Sequence, residues 1–235
     1  MAYIEGYPGE KIETTTGKHL GFIVIVVVLL VGFLAYSADD WREEIPSIIL
    51  TVSIVVAVIL FVSYKINPLG WRRIFRKERV EESLRMDRLI ADRLAELDDS
   101  HFIFHDITFE LFHVENLVIC PGGIFVIEKL ESPDALAVRG KILFAGDEPL
   151  DTVTGNLWRV CHLINIVMEK GFKEDIMPQP LLVRPGEASV NIGDFDGIII
   201  TTLDGMIKAV EGRHKKAIEQ ELVERFAFYM KKRYT

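Results

Sequence analysis

The chain has 235 residues, 49% of them hydrophobic, and a formal net charge of −8. That acidic balance argues against a broad basic footprint for nucleic acid, and the two cysteines, Cys120 and Cys161, fit a reducing compartment and offer no metal-ligand spacing. The length past residue 80 suffices for one domain with a proper core.

In chain order, residues 1–19 read as an N-terminal tail. Two uncharged apolar runs follow, 20–38 and 45–64, of 19 and 20 residues. At about 1.5 Å per helical residue each reaches roughly 28–30 Å, the thickness of a bilayer's hydrocarbon core. Neither run has a polar face, so the pair reads as a transmembrane hairpin, with the lipid bilayer as partner. The loop Asp39-Asp40-Trp41-Arg42-Glu43-Glu44 between them carries one basic residue, whereas Lys65, Arg72, Arg73, Arg76, Lys77 and Arg79 follow the second run. The positive-inside rule then places both termini and the whole chain beyond residue 65 in the cytoplasm of a multi-pass membrane protein. The basic segment 65–79 suits anionic lipid headgroups, and Trp41 and Trp71 read as interfacial anchors.

Residues 80–235 hold 18 Lys or Arg against 27 Asp or Glu. Leu84, Leu89, Ile90, Leu94 and Leu97 recur at helical spacing and predict a helix over 80–97, ended by Asp98-Asp99-Ser100. Strands are predicted over 102–104, 107–112, 114–119 and 124–130, the last after the turn Pro121-Gly122-Gly123. A hairpin arm is expected over 137–144. Leu157, Val160, Leu163, Ile164 and Val167 predict a helix over 155–170. Strands 181–183 and 197–201, a short helix 203–210 and a longer helix 215–232 complete the order. This α-β-β-β-α-β-β-α sequence implies an α/β domain, a mixed sheet flanked by helices.

The stretch from His113 to Glu131 carries the chemistry. An acidic residue, Glu115, precedes an apolar strand; Pro121-Gly122-Gly123 turns the chain; a second strand ends in Glu128-Lys129-Leu130. This resembles the heart of the nuclease-related domain (NERD) family, a branch of the restriction-endonuclease-like superfamily. The helix bearing Asp87, Ile90, Ala91, Leu94 and Leu97 looks like the family's first helix. Leu181 to Pro185 and Gly197 to Met206 look like its closing strands and helix.

The resemblance implies a restriction-endonuclease-like fold and a metal-dependent centre. Two carboxylates at a hairpin hold Mg²⁺ or Mn²⁺, the metal activates water, and a lysine on the same strand face steadies the developing charge. By that correspondence Asp87, Glu115 and Glu128 are the candidate metal ligands. The sequence departs from the family at several points. Glu115 stands where Asp is usual and Asn116 where His is common. Leu130 occupies the lysine position, and Val160 stands where the family's Asn-Pro-x-x-Gln pattern has Gln. Lys129 points to the opposite face of a regular strand, so a bulge is needed to bring it round. Lys141, in Arg139-Gly140-Lys141, is a second source of a relocated lysine. His113, two residues from Glu115, is a further ligand candidate against a plain reading as a partly exposed polar residue.

The expected function is therefore that of a degenerate nuclease fold acting as a binding or scaffolding module. The alternative is a Mg²⁺-dependent nuclease that cleaves phosphodiesters of nucleic acid with Glu115 and Glu128 and a relocated lysine, Lys129 or Lys141.

Overall fold

The computed structural model describes residues 1–8, 77–110, 112–130, 132, 134–184, 191–212 and 217–234, with isolated positions between 25 and 55. The chain divides into two compact units: residues 1–8 with 83–235, and residues 9–82. The first is a mixed α/β unit built on a seven-stranded sheet.

That sheet draws on β1 (Tyr3–Glu5), β2 (Phe102–Phe109), β3 (Phe112–Cys120), β4 (Gly123–Lys129), β8 (Gln179–Val183), β9 (Asp194–Phe195) and β10 (Ile198–Thr201). Their order is β1-β2-β3-β4-β8-β10-β9. The β2–β3–β4 meander is antiparallel, while β1 on β2, β8 on β4 and β10 on β8 are parallel. A parallel step from β4 to β8 requires a long connection. It is supplied by a small antiparallel sheet of β5 (Leu136–Arg139), β6 (Ile142–Ala145) and β7 (Glu148–Pro149), and then by helix α2 (Asp151–Val167). Helix α1 (Lys77–Ala95), from Ser83 onward, and helices α3 (Leu203–Glu211) and α4 (Gln220–Tyr234) complete the unit.

Each face of the sheet has its own apolar core. On one, Met86, Ile90 and Leu94 of α1 and Met206 and Val210 of α3 cover Ile103, Val118, Phe125, Ile127, Leu181 and Val183. On the other, Leu157, Val160 and Ile164 of α2 and Val223, Phe226 and Met230 of α4 cover Phe104, Leu117, Val126, Leu130 and Leu182. Central strands covered on both sides have to be apolar along their length, which is how β3 and β4 read.

Several expectations are corrected. Residues 1–19 are not a plain tail, because Tyr3–Glu5 joins the sheet as its edge strand. Lys231 of α4 clamps that strand, bonding the Tyr3 hydroxyl and lying 3.1 Å from Glu5. Gly6, at φ 78°, passes so close to β2 that a Cβ there would stand 2.6 Å from the His105 carbonyl oxygen, which demands glycine. The strands expected at 102–104 and 107–112 are one strand, and the chain turns at Glu110, φ 54°, so that Phe109 pairs with Phe112. Leu89, placed on the apolar face of α1, is exposed, while Asp87 is buried.

The runs 20–38 and 45–64 and the basic segment up to residue 76 lie, save for isolated positions, outside the described residues. Among the described residues no helix is long and apolar enough to cross a membrane. The longest, α1, has 19 residues but is charged along one face. The multi-pass membrane placement, with both termini cytoplasmic, is therefore corrected.

Candidate functional site: a buried carboxylate–lysine cluster

Strands β2 and β3 carry two polar pairs, His105-Asp106 and Glu115-Asn116, which face each other across the hairpin. The register pairs His105 with Asn116 and then Ile107 with Val114, leaving Asp106 and Glu115 outside the ladder. Phe104 and Ile107 both belong to the α2-side core although they are three residues apart, and so do Val114 and Leu117. Strict alternation would put the members of each pair on opposite faces. Each strand therefore slips its alternation within its polar pair, and Asp106 sits at φ 52° there. The slip turns both polar pairs toward α1, as a bulge re-aims side chains.

The β3–β4 ladder ends at Asn116 opposite Ile127. Beyond it, the Glu115 carboxylate takes the place of a backbone partner. Its Oε2 accepts from the Lys129 backbone N–H at 3.0 Å, and its Oε1 from Lys129 Nζ at 2.9 Å. Lys129 Nζ also donates to Asp87 Oδ1 of α1, at 2.5 Å. The three side chains are 6% (Lys129), 9% (Asp87) and 21% (Glu115) exposed, so this ion-pair triad is largely shut from water.

Two further pairs surround it. His113 Nε2 lies 3.3 Å from Asp106 Oδ1, with Asp106 buried and His113 half exposed. His105 Nδ1 lies 2.7 Å from Asn116 Oδ1, both buried. An amide oxygen accepts, so Nδ1 carries the proton and Nε2 is an acceptor that finds no hydrogen-bond partner among the described residues. Burial holds the His105 pKa below its ordinary value, against the Asn116 bond that raises it.

Charge within the cluster is unbalanced. Burial, followed by the negative Glu115 beside it, pushes Asp87 up to about 6, against the opposing pull of Lys129; Asp106 adds to the rise. Burial works against the Lys129 ammonium too, yet the charges of Glu115 and Asp87 outweigh it and hold its pKa above the usual lysine value. The lysine stays charged.

The structure thus brings Asp87, Glu115 and Lys129 together and leaves Glu128 and Lys141 elsewhere. Glu128 follows the regular pleat of β4 to the α2 side, where it lines a cavity that Glu115 also borders. Leu130 lies on that side too, 2% exposed in the apolar core, and does not face the cluster. Lys141 is exposed between β5 and β6, in the other sheet. The expected metal set of Asp87, Glu115 and Glu128 is corrected accordingly. The Lys129 ammonium stands between two of those carboxylates, and the third is on the opposite face. Among the described residues no group of three or more His, Cys, Asp or Glu side chains is arranged to hold a metal ion. The residues do not fit Mg²⁺ or Mn²⁺.

Asp106 is the residue that sequence reasoning passed over. Its signal was the mirror placement of two polar pairs in apolar strands at equal distances from the β2–β3 turn. Compared with known proteins, the chain matches no protein-family model, no curated protein and no solved structure.

Proposed function

We propose that residues 80–235 form a restriction-endonuclease-like domain of NERD type whose acidic centre is closed by its own lysine, and that the domain works as a binding or scaffolding module. One observation carries the reading: Lys129 Nζ sits 2.5 Å from Asp87 and 2.9 Å from Glu115, in the place a divalent cation would take between them. A buried carboxylate pair needs a counter-charge, and a covalently attached ammonium supplies one that cannot diffuse away. The antiparallel meander with its Pro121-Gly122-Gly123 turn, followed by the parallel strands β8 and β10, supports the family assignment.

A second reading draws on the same contact. A lysine beside a carboxylate is what a metal-dependent nuclease requires, so Lys129, rather than Lys141, would be the working cation with Glu115 as its partner. The full chain incubated with single- and double-stranded DNA and RNA in Mg²⁺ or Mn²⁺ decides between them. The binding reading expects no cleavage above a Glu115→Gln control. Cleavage that the Glu115→Gln substitution removes would establish the nuclease.

A further inference from the structure

Beyond Asn116 and Ile127 the strands β3 and β4 part, and a cavity of about 330 Å³ opens beneath α2. Val126 and Leu157 stand in its apolar wall, and Phe112, His113, Glu115, Glu128 and Asn156 are among its remaining lining residues. This volume is at the lower end of the roughly 300–1,000 Å³ of small-ligand sites and is enough for one long side chain. A slot whose lining is half polar and half apolar, with a carboxylate and an aromatic ring, suits a particular chemistry. The aliphatic stem of a long cationic side chain packs on valine and leucine, while its head meets the carboxylate and the ring.

We infer that this cavity is a recognition site for an arginine side chain of a partner polypeptide. The inference rests on the binding-module reading and gives that module a ligand class. Arginine fits better than lysine because a planar guanidinium can engage a carboxylate through two parallel N–H bonds and stack on an aromatic ring. A carboxylate offers about four acceptor positions, so Glu128 serves the guanidinium alongside the contacts it makes within the chain. Asn156, whose Oδ1 accepts from Arg159 at 2.9 Å, keeps its amide N–H donors for a carbonyl of the ligand's own backbone. That second contact selects a polypeptide over a free guanidinium. The net charge of −8 favours the approach of a basic partner.

Titration calorimetry on the full chain tests this with three probes: N-butylguanidinium, the uncharged isostere N-butylurea, and the blocked peptide acetyl-Gly-Arg-Gly-amide. The expected result is binding of the guanidinium at least about tenfold tighter than the urea, as a charge-assisted bond implies, and of the peptide at least as tightly as the guanidinium. Glu128→Gln should weaken both cations by about tenfold or more at an unchanged melting temperature. Equal affinity for urea and guanidinium, or no heat from either cation at millimolar concentration, would overturn the site. Binding of the guanidinium without the peptide would overturn the polypeptide partner. Should Glu128→Gln fail to fold, the guanidinium-to-urea ratio in the unaltered chain decides. Nuclease cleavage would sink the binding-module reading whatever these titrations show, so the two failures remain distinct.

Discussion

Lys129 Nζ and Asp87 Oδ1, 2.5 Å apart, join the central strand β4 to helix α1, the segment by which the chain returns to the sheet after residues 9–76. The bond is nearly sealed from water, and Glu115 closes its other side. Helix position and cluster charge are therefore one problem: α1 brings the carboxylate, and the sheet brings the ammonium that makes its burial tolerable.

Removing the ammonium should be costly. Lys129→Ala leaves Asp87 and Glu115 facing each other without a counter-charge, and loss of one partner from a buried pair destabilises by about 3–5 kcal/mol. Chemical denaturation of the variant beside the unaltered chain measures the loss. A change under about 1 kcal/mol, the size expected of an exposed ion pair, would show that the cluster is hydrated and weak.

The pH dependence follows from Asp87. Its pKa in the folded chain, about 6, lies above its ordinary value of 3.8. The folded state therefore binds the proton more tightly than the unfolded state, and this group's contribution rises as pH falls from about 7 through 6 toward 4. Across that range the group contributes roughly 2–3 kcal/mol. Asp87→Asn should flatten this slope between pH 7 and 5 and raise stability at pH 8. Denaturant midpoints at pH 5 and 8 for both chains check the sign, and an unaltered slope in the variant would assign the titration to another group.

Leu130→Lys, which puts a lysine where the NERD resemblance implies one, should restore nothing. Leu130 is 2% exposed on the α2 side, and an unpaired ammonium there is expensive. The expected outcome is a loss of several kcal/mol with no metal-dependent cleavage. Cleavage by a folded Leu130→Lys variant would mean that the working face of β4 is the one bearing Glu128.

Much of the fold was legible because its elements are strongly patterned. The spacing of Ile90, Leu94 and Leu97 marked α1, and Pro121-Gly122-Gly123 marked the β3–β4 turn. Two elements were hidden. β1 is three residues long, too short for any period to show, and the turn at Glu110 carries neither glycine nor proline. The site was half legible. Alternation along β4 correctly set Lys129 and Glu128 on opposite faces, but it could not reveal that β3 slips its alternation between Val114 and Leu117. That slip brings the Glu115 carboxylate to Lys129, while Glu115 and Glu128 still border one cavity. The resemblance marks Asp87 as a candidate ligand, but its burial depends on a tertiary partner that helical spacing does not encode.

The central claim, that Lys129 stands in for a metal ion, is tested most directly by thermal melting across a Mn²⁺ titration, comparing the unaltered chain with Lys129→Ala. Binding to the folded state at about ten times the dissociation constant contributes roughly 1.4 kcal/mol, or about 3–6 °C for a domain of this size. The account predicts no rise in Tm for the unaltered chain and a rise of that order for Lys129→Ala, whose emptied carboxylate pair accepts the ion. An equal rise in the unaltered chain, lost on Glu115→Gln, would contradict it, because the cluster would then bind metal with its lysine in place.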